Sequence, residues 1–314
     1  MTDFVSEISH DIPRQLTLSS AITCSGVALH SGDTVVMTIR PAAVNTGLVF
    51  FRTDVGAEHG MVAARYDMVC ETTLGTTLRN AYGTTVATVE HLMAALSGAE
   101  IDNAVIELDG PEVPIMDGSS EPFVFLLECA GTLEQDAPRR MIEVLKTVSV
   151  RENDCVATLE PHADGFVLDI TIEFPHASIG KQRAIYDFNV TSFKQALCRA
   201  RTFGFAREVE KMHSMGLALG GSLKNAVVVG DEGVINEEGL RYNDEFVRHK
   251  ALDVVGDYYL AGGHFLAKAV VERPGHGINN KLMRALFADA SNYRIVGEDA
   301  MVMPAVAAPQ YAIA

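Results

Sequence analysis

Alternation of apolar and polar positions marks the extended stretches of this chain. VVMTIRP (35–41) and CVATLEP (155–161) both alternate with period two and end at a Pro. In each case a Gly follows shortly and opens a second alternating run, GLVFFRTD from Gly47 and GFVLDITIEF from Gly165. Thr38 and Thr158, Ile39 and Leu159, and Pro41 and Pro161 recur at one constant offset, with Gly47 and Gly165 two residues short of it. The pattern predicts two β-hairpins of one design, about one domain apart, and hence a duplicated chain.

Helical periodicity fills the rest. Val89, Leu92, Met93 and Leu96 share one face, with Thr88 as the expected cap and Gly98 as the stop. IDNAVIELDG then reads as a strand, GPEVPIMDGSSEP as a Pro-rich turn, and Phe123 to Ala130 as a helix. In the second half a long helix is expected from about Asp244 to Ala261, stopped by Gly262 and Gly263. A strand near Phe265 to Glu272, a flexible Gly-rich loop PGHGINN and a helix from Lys281 to Ala288 follow. Polar EQDAPR (134–139) is the expected linker, dividing the chain into 1–135 and 136–314. The tail after Met301 has no periodicity and is expected to be loose. Strands and helices mix without strict β-then-α alternation, which predicts an α+β layered architecture.

Composition narrows the partners. The chain has 314 residues, 48% hydrophobic and 21% charged, so it can bury a sizeable core and is neither disordered nor fibrous. Its 25 Lys and Arg against 41 Asp and Glu give a formal charge of −16 without any basic run, which argues against a nucleic-acid partner. One or two local cations can still hold a phosphate. MTDFVSEISHDIPRQ lacks the basic start and apolar stretch of a signal peptide, and no window reaches the ~18 apolar residues of a membrane span. A cytoplasmic protein without a transmembrane segment is expected. Five scattered cysteines with no C-x-x-C pair read as buried small hydrophobes in a reducing compartment.

The candidate chemistry lies on two helices. His91 falls roughly opposite the apolar stripe of its helix, on a face that carries Ala94 and Ala95, with Glu90 beside it. His249, Asp253 and Asp257 stand at i, i+4 and i+8 and form one polar stripe facing either solvent or a second domain. Taken alone, the first pair also reads as a solvated dipeptide and the stripe as a surface charge row. Duplicated halves facing each other would bring together a His₂Asp set with one open position, the arrangement of a catalytic zinc site; such a set also suits Fe²⁺. Glu90 would then be the free carboxylate, although neither H-E-x-x-H nor H-x-x-E-H is present. GLALGGSLK (216–224) lacks phosphate-loop spacing, so nucleoside triphosphate chemistry is unsupported.

TVEHLMAAL (88–96), IDNAVIEL (101–108), PIMDGS (114–119), ARTFGF (200–205), LALGGS (217–222), GLRYNDEFVRHKALD (239–253) and GHGINN (275–280) closely resemble the UDP-3-O-acyl-N-acetylglucosamine deacetylase family. That family comprises zinc-dependent bacterial enzymes of the committed step of lipid A synthesis, and the resemblance runs over residues 10 to 295 in order. It implies removal of the N-acetyl group from a UDP-3-O-(3-hydroxyacyl)-N-acetylglucosamine, giving the free amine and acetate. It implies one catalytic Zn²⁺ on His91, His249 and Asp253, with Fe²⁺ the other ion such a site accepts. By the same resemblance Glu90 is the general base, His276 the catalytic imidazole oriented by Asp257, and Thr202 the hydroxyl that polarises the amide carbonyl. Lys250 matches a substrate-binding lysine and Phe174 an aromatic near the uridine.

The implied fold is two β-α-α-β domains with their helices between the sheets. A β-α-β insert near 203–229, starting at Phe203, would wall the acyl chain with Val209, Ala218, Leu223, Ala226 and Val228. Gly75 stands where some members carry a Cys, so no thiol can act on the metal there. The expected partner is a small UDP-sugar substrate, bound by a monomer that is cytoplasmic or loosely associated with the inner membrane surface. A metal-dependent amidase on another acyl-amide and a non-enzymatic metal-stabilised binding module, which would need closed four-ligand coordination, are the competing readings.

Overall fold

The computed structural model describes residues 12–297, so the tail after Met301 lies outside the described residues. Two sheets repeat one plan. The first holds β1 (Ile22–Val27), β2 (Thr34–Pro41), β3 (Leu48–Arg52), β4 (Met61–Ala63) and β5 (Ala104–Leu108), in the spatial order β1-β2-β5-β3-β4. The second, of seven strands, repeats that plan with β6 (Val148–Glu152), β7 (Cys155–Pro161), β8 (Phe166–Phe174), β9 (Gly180–Phe188) and β10 (His264–Glu272), with β10 between β7 and β8 and β9 beyond β8, and adds Met141–Val144 beside the start of β10 and Tyr293–Val296 beyond that. Alternation places Val35, Met37 and Ile39 of β2 in the core and leaves Thr34 and Val36 outside. Even a cross-strand hydroxyl pair recurs: Thr23 with Thr38 at 2.9 Å and Ser149 with Thr158 at 2.8 Å.

The duplicated strands are not the hairpins expected from the sequence. β2 and β3 are separated by β5, antiparallel to the first (Met37 opposite Leu108) and parallel to the second (Leu48 opposite Ala104). β10 separates β7 from β8 in the same way, with Leu159 and Leu168 both opposite Ala269. The physical reason is the crossover: parallel neighbours need a long connection carrying a helix. Each half spends its central helix on that connection, α1 (Glu90–Gly98) before β5 and α4 (Glu245–Tyr259) before β10. Within these two sheets the consecutive strands that do pair antiparallel are β1–β2, β3–β4, β6–β7 and β8–β9, of which β1–β2, β6–β7 and β8–β9 close at Val27–Thr34, Glu152–Cys155 and Phe174–Gly180.

Segment 134–139 is not a loose linker either. Thr132–Pro138 is a strand paired antiparallel with Arg14–Leu18, and Met141–Val144 pairs in turn with Tyr293–Val296, so each half opens and closes with two strands that bind each other.

The central helices are buried between the sheets. All nine residues of α1 are buried, as a helix covered on every side must be, and α1 packs on α4. Gly256 permits the closest approach: a Cβ there would lie 2.0 Å from the Glu90 carbonyl oxygen. The Ala94 side of α1, read from the sequence as covered, is this contact. α2 (Glu121–Ala130) packs on β1, and α5 (His276–Phe287) on β6 and β7. Between β9 and α4 lies the expected β-α-β insert, with Phe203–Phe205 parallel to Val227–Gly230 and α3 (Ala206–Ser214) between them. Its loop rests on the first half, Leu219 and Gly220 donating to the carbonyls of His30 and Leu29 at 3.1 and 3.0 Å. Among the described residues no helix is long and apolar enough to cross a membrane.

Two helix starts differ from expectation. Thr88 does not cap α1: its φ is +56° and its hydroxyl donates to Glu112 Oε1 at 2.8 Å, so Val89 takes the cap position without a side-chain bond. His276 is on no flexible loop; α5 begins at His276 itself, five residues before Lys281, with Gly275 at the N-cap. Glycine is tolerated there because the first N–H groups of a helix have no intrahelical partner to lose.

Candidate metal and hydrolytic site

The polar stripe of α4 faces the other half. His249, Asp253 and Asp257 are all buried against the first turn of α1, which brings Glu90 and His91, and none faces solvent. Asp253 Oδ1 lies 3.3 Å from His249 Nε2 and 3.6 Å from His91 Nε2. Donors at about 2.0–2.2 Å from a tetrahedral zinc sit roughly 3.3–3.6 Å apart, so both separations from Asp253 match edges of such a coordination shell, and the three ligand atoms all lie within 4.8 Å of one another.

The surroundings leave the right lone pairs free. His249 Nδ1 lies 3.1 Å from the Ala200 carbonyl oxygen; only an N–H can pair with that acceptor, so the proton is on Nδ1 and Nε2 carries a lone pair. Burial pushes His249 down to about 3 despite Asp253 beside it, so the ring is neutral, as a ligand must be. Lys250 Nζ donates to Asp253 Oδ2 at 2.9 Å and leaves Oδ1 as a buried oxygen with no hydrogen-bond partner. Burial would raise the Asp253 carboxyl, but the basic groups around it, with the Lys250 ammonium in hydrogen-bond contact, hold it well below the usual range. An orphaned anionic oxygen against two imidazole edges fits a divalent cation, and His91, His249 and Asp253 are the residues that would hold it.

Two ionisable groups border this set. Burial raises the Glu90 carboxyl, against the pull of His276 and His91. Its Oε2 accepts from the Thr76 backbone N–H at 3.0 Å, and its Oε1 lies 3.8 Å from His276 Nε2. A Cβ at Gly75 would press on Oε1 at 3.0 Å, so glycine there keeps that oxygen clear. His276 Nδ1 is 2.9 Å from Asp257 Oδ2. Burial would lower this imidazole, yet Asp257 and Glu90 push it up to about 9, so it carries its proton at neutral pH. Its place at a helix N-terminus opposes that by only ~0.3–1 kcal/mol. Each pKa unit is about 1.4 kcal/mol, so the carboxylates win.

All of this opens into a cavity of about 450 Å³ lined by Glu90, His91, His249, Lys250, Asp253 and His276, together with Thr202 and Phe203. Phe174 stands one ring behind, edge-on to Phe203 at 5.5 Å. Val209, Ala218, Leu223, Ala226 and Val228 do not line this cavity: Leu223 is exposed and the other four are half-buried within the insert. Sequence reasoning missed Thr76 and Asn279. Thr76 donates its hydroxyl to Asp257 Oδ1 at 2.6 Å, and Asn279 donates to Asp257 Oδ2 at 2.8 Å. Asn279 follows His276 at i+3 on α5, a spacing that could have flagged it, whereas Thr76 stands in a polar loop with no periodic signal. Arg273, at φ +50°, also borders the cavity.

Three buried donors around one point, a carboxylate beside them and an imidazole held charged define a site for hydrolysing an acyl bond. The family model for UDP-3-O-acyl N-acetylglycosamine deacetylases matches residues 15–288, and the chain belongs to that family. It is 49% identical over 304 residues to a UDP-3-O-acyl-N-acetylglucosamine deacetylase of Stenotrophomonas maltophilia strain K279a, covering 95% of this chain and 99% of that protein. Proteins of the same name from Hahella chejuensis (48%, 93% of this chain and 96% of that protein) and Pasteurella multocida (46%, 91% and 94%) are similar along nearly their whole length.

Proposed function

We propose that this chain hydrolyses the acetamide of a UDP-3-O-(3-hydroxyacyl)-N-acetylglucosamine, the lipid A step after which its family is known, with zinc or Fe²⁺ on His91, His249 and Asp253. The observation that carries the reading is the convergence of Asp253 Oδ1 with two imidazole nitrogens at 3.3 and 3.6 Å, directly beside Glu90. A divalent ion held there would supply Lewis acidity and a water of lowered pKa, about 7 on zinc.

The protein's own groups divide the remaining work. Glu90, fixed through Oε2, takes a proton from the attacking water at its free Oε1. His276, charged and steadied by Asp257, faces the amide from another element and gives its Nε2 proton to the departing amine nitrogen as the C–N bond breaks. The water oxygen stays on the acetyl carbon, so acetate and a free amine leave. Thr202, at the cavity wall, donates in this reading to the amide carbonyl oxygen, and Lys250 and Phe203 bound the sugar side, with Phe174 behind. The acyl chain passes along the insert. Each methylene it buries is worth about 0.8 kcal/mol, so affinity should fall in steps as the chain is shortened.

The test is acetate release from the UDP-linked substrate by purified protein, with metal content measured on the same sample. One equivalent of bound zinc or iron and turnover that stops on chelation are expected. Equal turnover of the metal-free protein, or of acetamides lacking the UDP-sugar, would overturn the reading.

A further inference from the structure

Thr76 touches Glu90, one of the two groups assigned to proton transfer, and Asp257, the carboxylate that orients the other, and belongs to neither helix that carries them. It lies in the first half at the foot of Thr77–Arg79, is 2% exposed, and is tied to the first turn of α1 in both directions. Its N–H donates to Glu90 Oε2 at 3.0 Å, and its carbonyl accepts the N–H of Val89 at 3.3 Å. From that anchored position its hydroxyl crosses to the second half and donates to Asp257 Oδ1 at 2.6 Å. Asp257 Oδ2 in turn holds His276 at 2.9 Å and Asn279 at 2.8 Å. One residue thus joins the α1 carboxylate to the α4 carboxylate that orients the α5 imidazole.

We infer that Thr76 is a positioning residue that sets the separation of Glu90 from the Asp257–His276 pair, an inference that rests on the deacetylase reading above. The two groups must reach one amide from different sides, and a 1 Å misplacement of such a group costs on the order of 10² in rate. Without the hydroxyl, Asp257 Oδ1 is left in a buried site with no donor, and what then joins α1 to that carboxylate is the helix packing at Gly256 and the 3.8 Å approach of His276 to Glu90, neither of which is a hydrogen bond to Asp257 from the first half. Backbone contacts to Glu90 survive any substitution except Pro, so the hydroxyl can be tested on its own.

The experiment compares Thr76→Val and Thr76→Ser with the native chain, as wild type and in an Asp257→Ala background, measuring kcat, KM and metal per chain. Thr76→Val should lose about 10- to 100-fold in kcat, with KM within about threefold and metal content unchanged. Thr76→Ser should restore kcat to within about threefold of native. Added to Asp257→Ala, Thr76→Val should cost less than about threefold more, because its route is already cut. Native kcat in Thr76→Val, a Ser variant as slow as the Val variant, or a further ~10-fold loss in the Asp257→Ala background would each overturn the inference. If Thr76→Val alone fails to fold, the Asp257→Ala comparison decides, since it removes the oxygen left unpaired. A native chain that binds metal but does not turn over the UDP-linked amide defeats the deacetylase reading itself, a result distinct from any of these.

Discussion

Two buried polar clusters lie where the halves meet, and they treat their histidines in opposite ways. His276 is pushed up to about 9, and His264, in the cluster beyond the ends of α1 and α4, is pushed down to about 3. Burial acts on both imidazoles in the same direction, toward the neutral form. The difference lies in the carboxylate. Asp257 touches His276 at 2.9 Å, and its other hydrogen-bond partners are the neutral Thr76 and Asn279. Asp102 stands 4.0 Å from His264 Nε2 and is engaged elsewhere, accepting from Arg139 Nε at 3.1 Å and the Leu16 N–H at 2.7 Å. Arg139 also bears on His264 directly, and Tyr259 offers it only a hydroxyl at 3.2 Å. A carboxylate charges a buried imidazole when it is in contact and not already neutralised; proximity alone does not suffice.

The contrast breaks most completely at the residues proposed to hold the metal. His249→Ala should lose both the bound ion and all measurable turnover, whereas His264→Gln should keep both; metal analysis alongside acetate release checks the pair. Next is Glu90→Gln, which should retain the metal and lose about 10²–10⁴ in kcat, the range for a missing general base. In the other cluster Arg139→Met should leave kcat near native but cost about 3–5 kcal/mol of stability, because Asp102 remains buried without its cation. The same variant should move the His264 titration upward, as Asp102 becomes free to act on it; an NMR titration that stays put would show that Arg139 is not what sets His264 apart.

The smallest effect is on pH dependence. If the proton on His276 is needed, activity falls as pH rises through about 9, and Asp257→Asn should bring that limb down by about 1–3 units. Stability follows with opposite signs in the two clusters. For His276, raised on folding, the contribution is complete below pH 6.5 and is lost as pH rises through about 9. For His264, lowered on folding, it is complete above pH 6.5 and is lost as pH falls toward about 3. Denaturation curves across pH read both.

What the sequence made visible followed from periodicity within one element. His249, Asp253 and Asp257 share a face because one helix carries them, and the Ala94 side of α1 betrayed its cover through small residues. Hidden features depended on partners far along the chain. Nothing in β2 or β3 announces that a strand more than fifty residues beyond β3 will slide between them. EQDAPR has loop composition, yet its backbone is satisfied by Arg14–Leu18. Gly275 and Gly277 look like helix breakers until Gly275 proves to be an N-cap. Thr76 has no local signal because its role exists only once two halves meet.

The mutual pairing of opening and closing strands has a consequence for how the molecule can be taken apart. Arg14–Leu18 lies against Thr132–Pro138, and Met141–Val144 against Tyr293–Val296, with only Arg139 and Arg140 between the two pairs. Each half therefore begins and ends at neighbouring points, like a loop of rope tied to itself. A nick between Arg139 and Arg140 severs no strand ladder, and new ends opened in an exposed turn of either half leave its old ends close enough to splice.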